Sequence, residues 1–254
     1  MFNQAVKYAL GKLGLELRRI SGARWDALVS QDLRQLMRFE GVRAAFDVGA
    51  FDGGVTQLFL DWFPQADVHA FEPLDASYRK LCDRFSGISR VKPVRRAVSD
   101  TAGTAKFYAT QSEQSNSLLK PLATGRDVDR SHALREELAV DTTTIDRYCG
   151  DNAIERIELL KLDIQGGELV ALKGAEGLLS EGRIDIVLSE VEFVELYKGQ
   201  PLFCDVAHFL ARYGYRLYSL PKLVPDELGQ LCWGDAIFCR GIILEDARSR
   251  LGQA

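Results

Sequence analysis

Apolar positions along the chain change their period twice. Over the first twenty residues Phe2, Val6, Ala9 or Leu10, Leu13 and Leu17 recur at three- and four-residue steps, with Lys7, Lys12, Arg18 and Arg19 mostly off that stripe. This is the spacing of a basic amphipathic helix. A second helix, about Trp25 to Phe39, follows. From residue 44 the pattern becomes one of short apolar runs separated by helical stretches. Ala44 to Val48 ends in the glycine turn Gly49-Ala50-Phe51-Asp52-Gly53-Gly54. A helix with Val55, Leu58, Phe59 and Trp62 on one face then runs to Pro64, which terminates it. Val68 to Phe71 reads as a second strand, Tyr78, Leu81, Cys82 and Phe85 mark the next helix, and Val91 to Val98 reads as a third strand. Three β-α units in succession predict an α/β fold, a doubly wound, mostly parallel sheet with right-handed crossovers.

The regularity breaks between about residues 99 and 139. Ala105 to Ala109 looks like an extra strand, and Thr142 to Ile145 is β-branched enough to pair with it. Between them lies a polar stretch, and an insertion of this length in a compact domain reads as a lid or binding loop. The alternation returns with a strand from Ile157 to Asp163, a helix from about Glu168 to Leu179 and a strand from Ile184 to Glu190. A last helix carries Phe203, Val206, Ala207 and Leu210 on one face and stops at Gly214. Tyr215 to Leu220 and Ala236 to Arg240 resemble a closing hairpin. The expected organisation is a helical extension over residues 1–40 followed by one domain over residues 41–254.

Composition narrows the class of protein. The 254 residues are 46% hydrophobic and 27% charged, ordinary globular values that exclude a disordered or fibrous chain. Lys and Arg number 32 against 36 Asp and Glu, a net charge of -4, so affinity by phosphate neutralisation is not expected and nucleic acid is not the expected partner. Five cysteines, odd in number and without a C-x-x-C, argue for a reducing, cytoplasmic setting rather than a disulfide framework or zinc site. No run approaches the ~20 apolar residues of a membrane span. The basic helix over residues 1–20 leaves three roles open: a cap on the domain, a contact in a homo-oligomer, or peripheral contact with the inner face of a membrane.

Strand, glycine turn and helix at residues 44 to 63 form a nucleotide cradle, because glycines admit close backbone approach and a helix N-terminus presents free N–H groups. Asp47 closes the strand, and Glu72 ends the second strand, where a carboxylate can accept both ribose hydroxyls of an adenosine ligand. A dinucleotide fingerprint needs a glycine where Phe51 stands, and the phenyl ring would crowd a pyrophosphate. S-adenosylmethionine has no phosphate and tolerates it. A nicotinamide-dependent oxidoreductase is the alternative enzyme. Its Tyr-x-x-x-Lys pair occurs as Tyr8…Lys12, ahead of the nucleotide strand, and as Tyr218…Lys222, interrupted by Pro221. The alternative outside catalysis is a cofactor-binding or membrane-docking module.

The chain at this point resembles the FkbM-type S-adenosylmethionine-dependent methyltransferases. The matching segments are Phe46-Asp47-Val48-Gly49-Ala50…Gly53, Phe71-Glu72-Pro73, Ala97-Val98-Ser99-Asp100, Asn116-Ser117-Leu118, Val140…Thr144-Ile145-Asp146, and Leu159 to Glu168 with Leu172-Lys173-Gly174-Ala175, in family order over about residues 44 to 220. The resemblance implies a class I methyltransferase fold, a Rossmann-like seven-stranded sheet with one antiparallel strand. It also implies transfer of a sulfonium methyl, most often to a hydroxyl, on a small-molecule or glycan acceptor. By the same resemblance Gly49 to Gly53, with Ala50 and Phe51, hold the methionine half of the cofactor, and Glu72 holds the ribose. Ser99 and Asp100 flank the adenine, Asn116 and Ser117 close over the cofactor, and Asp47, Asp163 and Gln165 complete the set. Phe51 stands where Asn is frequent and Gln165 where Glu is frequent.

Methyl transfer to an alcohol needs orientation and a base. Asp163, at the end of the fourth strand, is the first choice for that base. Lys161, two residues earlier on the same face, is placed to pair with it or to hold a substrate oxygen. Glu190 ends the neighbouring strand, so Asp163 and Glu190 are the pair that would share a Mg²⁺, with the metal-free version preferred. His69 reads as packed in its strand, His208 as solvated and His132 as an exposed loop residue.

Overall fold

The computed structural model describes residues 25–122 and 133–251. The expected first helix, the Tyr8…Lys12 pair and His132 lie outside them. In chain order the elements are α1 (Trp25–Leu36), β1 (Ala44–Val48), α2 (Gly54–Trp62), β2 (Asp67–Phe71), α3 (Asp75–Arg84), β3 (Val91–Val94), β4 (Ala97–Val98), β5 (Gly103–Thr110) and β6 (Leu134–Thr143). They continue with α4 (Ile145–Asp151), β7 (Ile157–Leu162), α5 (Glu168–Lys173), α6 (Glu176–Ser180), β8 (Ile184–Glu192), α7 (Phe203–Ala211), β9 (Tyr215–Pro225), β10 (Leu231–Arg240) and α8 (Gly241–Leu251).

Seven strands form one sheet in the order β3-β2-β1-β7-β8-β10-β9. All neighbours run parallel except β10, which is antiparallel to both β8 and β9. This is the class I methyltransferase arrangement that the sequence resemblance implies. The central strands are buried on both faces, and their side chains alternate between two cores with the period of two a strand imposes. Ala44, Phe46 and Val48 of β1 join Leu160 and Leu162 of β7 under α4 to α7. Ala45 and Leu159 point the other way, into the core covered by α1, α2, α3 and α8. Val29, Leu33 and Leu36 of α1 belong to this second core, so packing of the chain with the sheet begins well before residue 40.

The closing hairpin strands run beyond Tyr215 to Leu220 and Ala236 to Arg240, reaching Pro225 and starting at Leu231, and three other elements differ from expectation. The third strand is two strands: β3 lies on the sheet edge beside β2, where Pro93 needs no ladder partner on its open side. The chain then turns, and β4 pairs with β6 in a separate three-stranded sheet of order β4-β6-β5. The insertion builds this second sheet, with Thr142 opposite Gly103, while Ile145 opens α4. The helix expected over Glu168 to Leu179 breaks in two at Gly174. Its carbonyl accepts the N–H of Asp146 at 2.9 Å, and the Asp146 carboxylate in turn accepts the N–H groups of Gly177 and Leu178 at 2.8 and 3.0 Å. That cap starts α6 as a new helix. Among the described residues no helix is long and apolar enough to cross a membrane.

Candidate functional site

A cleft of about 580 Å³ runs along the C-terminal edges of β2, β1, β7 and β8 and on to β10, the edge where doubly wound sheets take ligands. One end is made by the turn after β1. The N–H groups of Gly49 and Ala50 both donate to the Phe71 carbonyl, at 3.1 and 2.9 Å, which stitches the turn to the end of β2. Gly49 has φ +81°, and a Cβ there would lie 1.9 Å from the Asp163 carbonyl oxygen, so no other residue fits without moving β7. Phe51 adopts φ 49° without being glycine, a strain that closely built sites tolerate. Its N–H donates to Glu72 Oε2 at 3.1 Å, and the N–H of Leu74 donates to Oε1 at 2.9 Å. Glu72 is thereby held on the cleft wall with only 7% of its surface open. Burial pushes its carboxyl up to about 7, against the two N–H groups that pull it down.

Asp47 and Lys161, cross-strand neighbours on β1 and β7, support the floor. Lys161 Nζ lies 3.0 Å from Asp47 Oδ1, 3.1 Å from the Gly49 carbonyl and 3.6 Å from Asp163 Oδ2. Thr56 donates to the other Asp47 oxygen at 2.7 Å. Burial works against the Lys161 charge, but Asp47 and Asp163 override it and hold the ammonium above its ordinary range. Lys161 is therefore a fixed cation. Asp47, fully buried, does not reach the cleft; it is the counter-charge that lets Lys161 do so.

Beyond β7 the wall turns acidic. Asp163 follows β7 with 42% of its side chain exposed. Gln165, at φ 57°, sets its amide Nε2 2.6 Å from Glu190 Oε2 and 3.4 Å from Asp163 Oδ1. Tyr197 donates its hydroxyl to the Ser115 carbonyl at 2.8 Å, and its Oη lies 3.1 Å from the Gln165 side-chain amide. Glu190 and Glu192 are raised well above the ordinary carboxylate range, first by burial and then by the neighbouring acids, Asp163 among them. Asp235 is pushed up to about 6, chiefly by burial, and accepts the indole N–H of Trp25 at 2.8 Å. Lys222 Nζ stands 4.0 Å from the centre of the Trp233 ring.

Most of the expected site residues meet here, and some do not. Gly49, Ala50, Phe51, Glu72, Asn116, Lys161, Asp163, Gln165 and Glu190 line the cleft. Ser99 and Asp100 do not: the Asp100 carboxylate accepts from the hydroxyls of Ser99 and Thr101, and the cleft wall at this point is Ala97 and Val98. The strand split explains this, since β4 carries its last residues into the smaller sheet. Gly53 packs against Phe85 and Leu81 rather than facing the cleft. Ser117 is buried and donates to the Gln165 carbonyl at 2.7 Å, so it pins the insertion to the loop after β7 instead of touching a ligand. Asn116 faces the cleft while its Oδ1 accepts the Thr110 N–H at 2.8 Å.

The shared Mg²⁺ finds no support, because the amide of Gln165 occupies the space between Asp163 and Glu190. Among the described residues no group of three or more His, Cys, Asp or Glu is disposed to hold a metal. His69 is buried, 2.9 Å from the Tyr148 hydroxyl and lowered to about 4 by burial, and His208 is exposed. The Tyr218…Lys222 spacing is not a functional pair: Tyr218 donates to Gln35 at 2.7 Å, while Lys222 covers Trp233. Sequence reasoning misses Trp25, Glu192, Lys222, Trp233 and Asp235, which lie far apart in the chain and share no local motif.

Comparison with known proteins places these elements. Residues 47–217 match the model of the methyltransferase FkbM domain. A 2-O-methyltransferase, NoeI of Sinorhizobium fredii, is 26% identical over 169 residues, covering 61% of this chain and 65% of that protein. The methyltransferase sdnD of Sordaria araneosa is 27% identical over 157 residues, covering 51% of this chain and 59% of its own length. The chain thus spans less than two thirds of either relative. The magnesium protoporphyrin IX methyltransferase ChlM of Synechocystis, solved with bound S-adenosylmethionine, superposes with a TM-score of 0.47 at 8% identity, covering 94% of this chain and 96% of that one. The match of well over half the chain, in a fold with the family's seven-stranded sheet, shows that the chain belongs to the methyltransferase FkbM domain family.

Proposed function

We propose that this protein is an S-adenosylmethionine-dependent O-methyltransferase whose acceptor is a hydroxyl of a sugar in a glycoconjugate or of a specialised metabolite. The observation that carries the cofactor assignment is Glu72, presenting a carboxylate into the cleft from the end of β2 beside the turn Gly49 to Phe51. Two backbone donors already orient it, and its remaining lone pairs suit the paired hydroxyls of a ribose. The adenine then packs against Phe71, Ala97, Val98 and Phe107, an apolar wall. The methionine half lies along Gly49 to Phe51 toward Asp163. When bound, the cofactor supplies a methyl group on a cationic sulfonium, ready for in-line displacement.

The protein's own part is to align the acceptor hydroxyl and take its proton. Asp163 is the carboxylate that takes it, because 42% of its side chain is exposed and it lines the cleft, 3.6 Å from the Lys161 ammonium. Glu190 and Glu192 are more reluctant to ionise and serve less well as bases. NoeI, a 2-O-methyltransferase by name, supports oxygen as the acceptor atom. The nicotinamide alternative loses its Tyr–Lys pair to separate partners. Calorimetry with S-adenosylmethionine and S-adenosylhomocysteine tests the reading. Saturable binding of both, with no response to NADH, is expected; no binding of either at millimolar ligand would overturn it.

A further inference from the structure

The cleft has a second end that cofactor binding does not use. Trp25 from the start of α1, Lys222 from β9, and Trp233 and Asp235 from β10 line it together with Glu190 and Glu192. Trp25 precedes the family-matched segment 47–217, and Lys222, Trp233 and Asp235 follow it. The sheet assembles them in a row: Asp235 sits opposite Glu190 on β8 and opposite Lys222 on β9, so the three side chains share one face. The Trp25 indole N–H then closes on Asp235 from α1 at 2.8 Å. In strand order the cofactor cradle lies at β2 and β1, this row lies at β8, β10 and β9, and Asp163 stands between them after β7.

Two indoles give flat apolar faces, and three carboxylates with one ammonium give a polar rim. Three acids beside the single ammonium of Lys222 offer an anionic acceptor no net attraction. A wholly apolar acceptor would leave unused the hydrogen-bonding capacity that remains to Asp235 and Glu190 beyond their bonds to Trp25 and Gln165, at a cost in affinity. A hexopyranose matches both features, with C–H groups on its ring faces and hydroxyls around its edge. We infer that the Trp25–Lys222–Trp233–Asp235 end of the cleft is a glycosyl subsite, which stacks a neutral pyranose on an indole and bonds its hydroxyls to Asp235, Glu190 and Lys222, turning one hydroxyl toward Asp163. This assignment rests on the methyltransferase reading and selects the sugar over other hydroxylated acceptors. Burial holds Asp235 up to about 6 and raises Glu190 well above its ordinary range, so the rim contains groups that donate as well as accept, as sugar hydroxyls require.

Saturation-transfer NMR on the full chain, saturated with S-adenosylhomocysteine and given a panel of methyl hexopyranosides, tests the subsite. At least one glycoside should receive saturation mainly on the C–H protons of one ring face. Trp233→Ala and Asp235→Asn should each weaken that binding about tenfold, with S-adenosylhomocysteine affinity unchanged within about twofold. Should Trp233→Ala fail to bind S-adenosylhomocysteine, Trp233→Phe replaces it, with an expected loss of about threefold. Bound S-adenosylhomocysteine with no glycoside signal overturns the subsite alone, as do variants that bind glycosides like the wild type. A hexose phosphate or nucleoside that binds more tightly than every neutral glycoside also overturns it. A wild-type chain that does not bind S-adenosylhomocysteine removes the methyltransferase reading and the subsite together.

Discussion

The two ends of the cleft are built in different ways. At the β1–β2 end the shape comes from backbone: Gly49 against the Asp163 carbonyl, the turn stitched to Phe71, and one carboxylate, Glu72, fixed by two N–H groups. At the β8–β10 end it comes from side chains of residues up to 210 positions apart, Trp25 and Asp235 being the extreme pair. The first end lies inside the family-matched segment, and most of the second lies outside it. Backbone geometry suits a ligand that every member of a fold must bind alike; side chains on late strands are free to vary with the acceptor. Lys161 and Asp163 sit at the junction, tied to Asp47 on one side and, through Gln165, to Glu190 on the other.

Breaking the junction should have the largest effect. Lys161→Met leaves Asp47 fully buried without its cation, and loss of one partner of a buried pair costs roughly 3–5 kcal/mol. Denaturant unfolding should show that loss, and adding Asp47→Asn should recover part of it. Asp163→Asn spares the core and removes the proposed base, so turnover should fall about a hundredfold or more while S-adenosylhomocysteine affinity stays nearly intact. Full activity in that variant would take Asp163 out of the role.

Glu72 separates the two ends more finely. Its carboxyl titrates at about 7 in the free protein, and ribose hydroxyls donate to the ionised form. Cofactor affinity should therefore rise by up to about tenfold from pH 6 to pH 8, and Glu72→Gln should weaken binding and flatten that slope. The sign for stability is opposite. A folded pKa raised from 4.5 to about 7 means the folded state holds the proton more tightly, so the stability this group contributes is full at low pH and lost as pH rises through that window. Thermal melting of the ligand-free protein should show Glu72→Gln removing this part of the decline. The smallest effect belongs to Asp100→Asn, outside the cleft, which should change S-adenosylhomocysteine affinity by no more than about twofold. A large loss there would restore the adenine role that the sequence suggests.

The same contrast explains what the sequence can show. Strand, glycine turn, helix and terminal acid are local patterns, so the cradle at Gly49 and Glu72 is legible, as is the order of β-α units. The third strand is not, because Val91 to Val98 is continuous in hydrophobicity while its halves pair with β2 and β6 in different sheets. The break at Gly174 depends on Asp146, nearly thirty residues earlier, and leaves no periodic trace. Asp163 and Glu190 are recognisable by position at strand ends, but not the Gln165 amide between them, which takes the place a metal would need. Trp25, Lys222, Trp233 and Asp235 meet only through tertiary structure, and no spacing announces them.

A crystal structure of the S-adenosylhomocysteine complex is the decisive measurement. Both ribose hydroxyls should lie within hydrogen-bond distance of the Glu72 carboxylate, the adenine against Ala97 and Val98, and the sulfur toward Asp163, with the Trp233 end left open. A nucleoside bound away from Glu72, or seated between Trp25 and Trp233, would contradict the cofactor assignment.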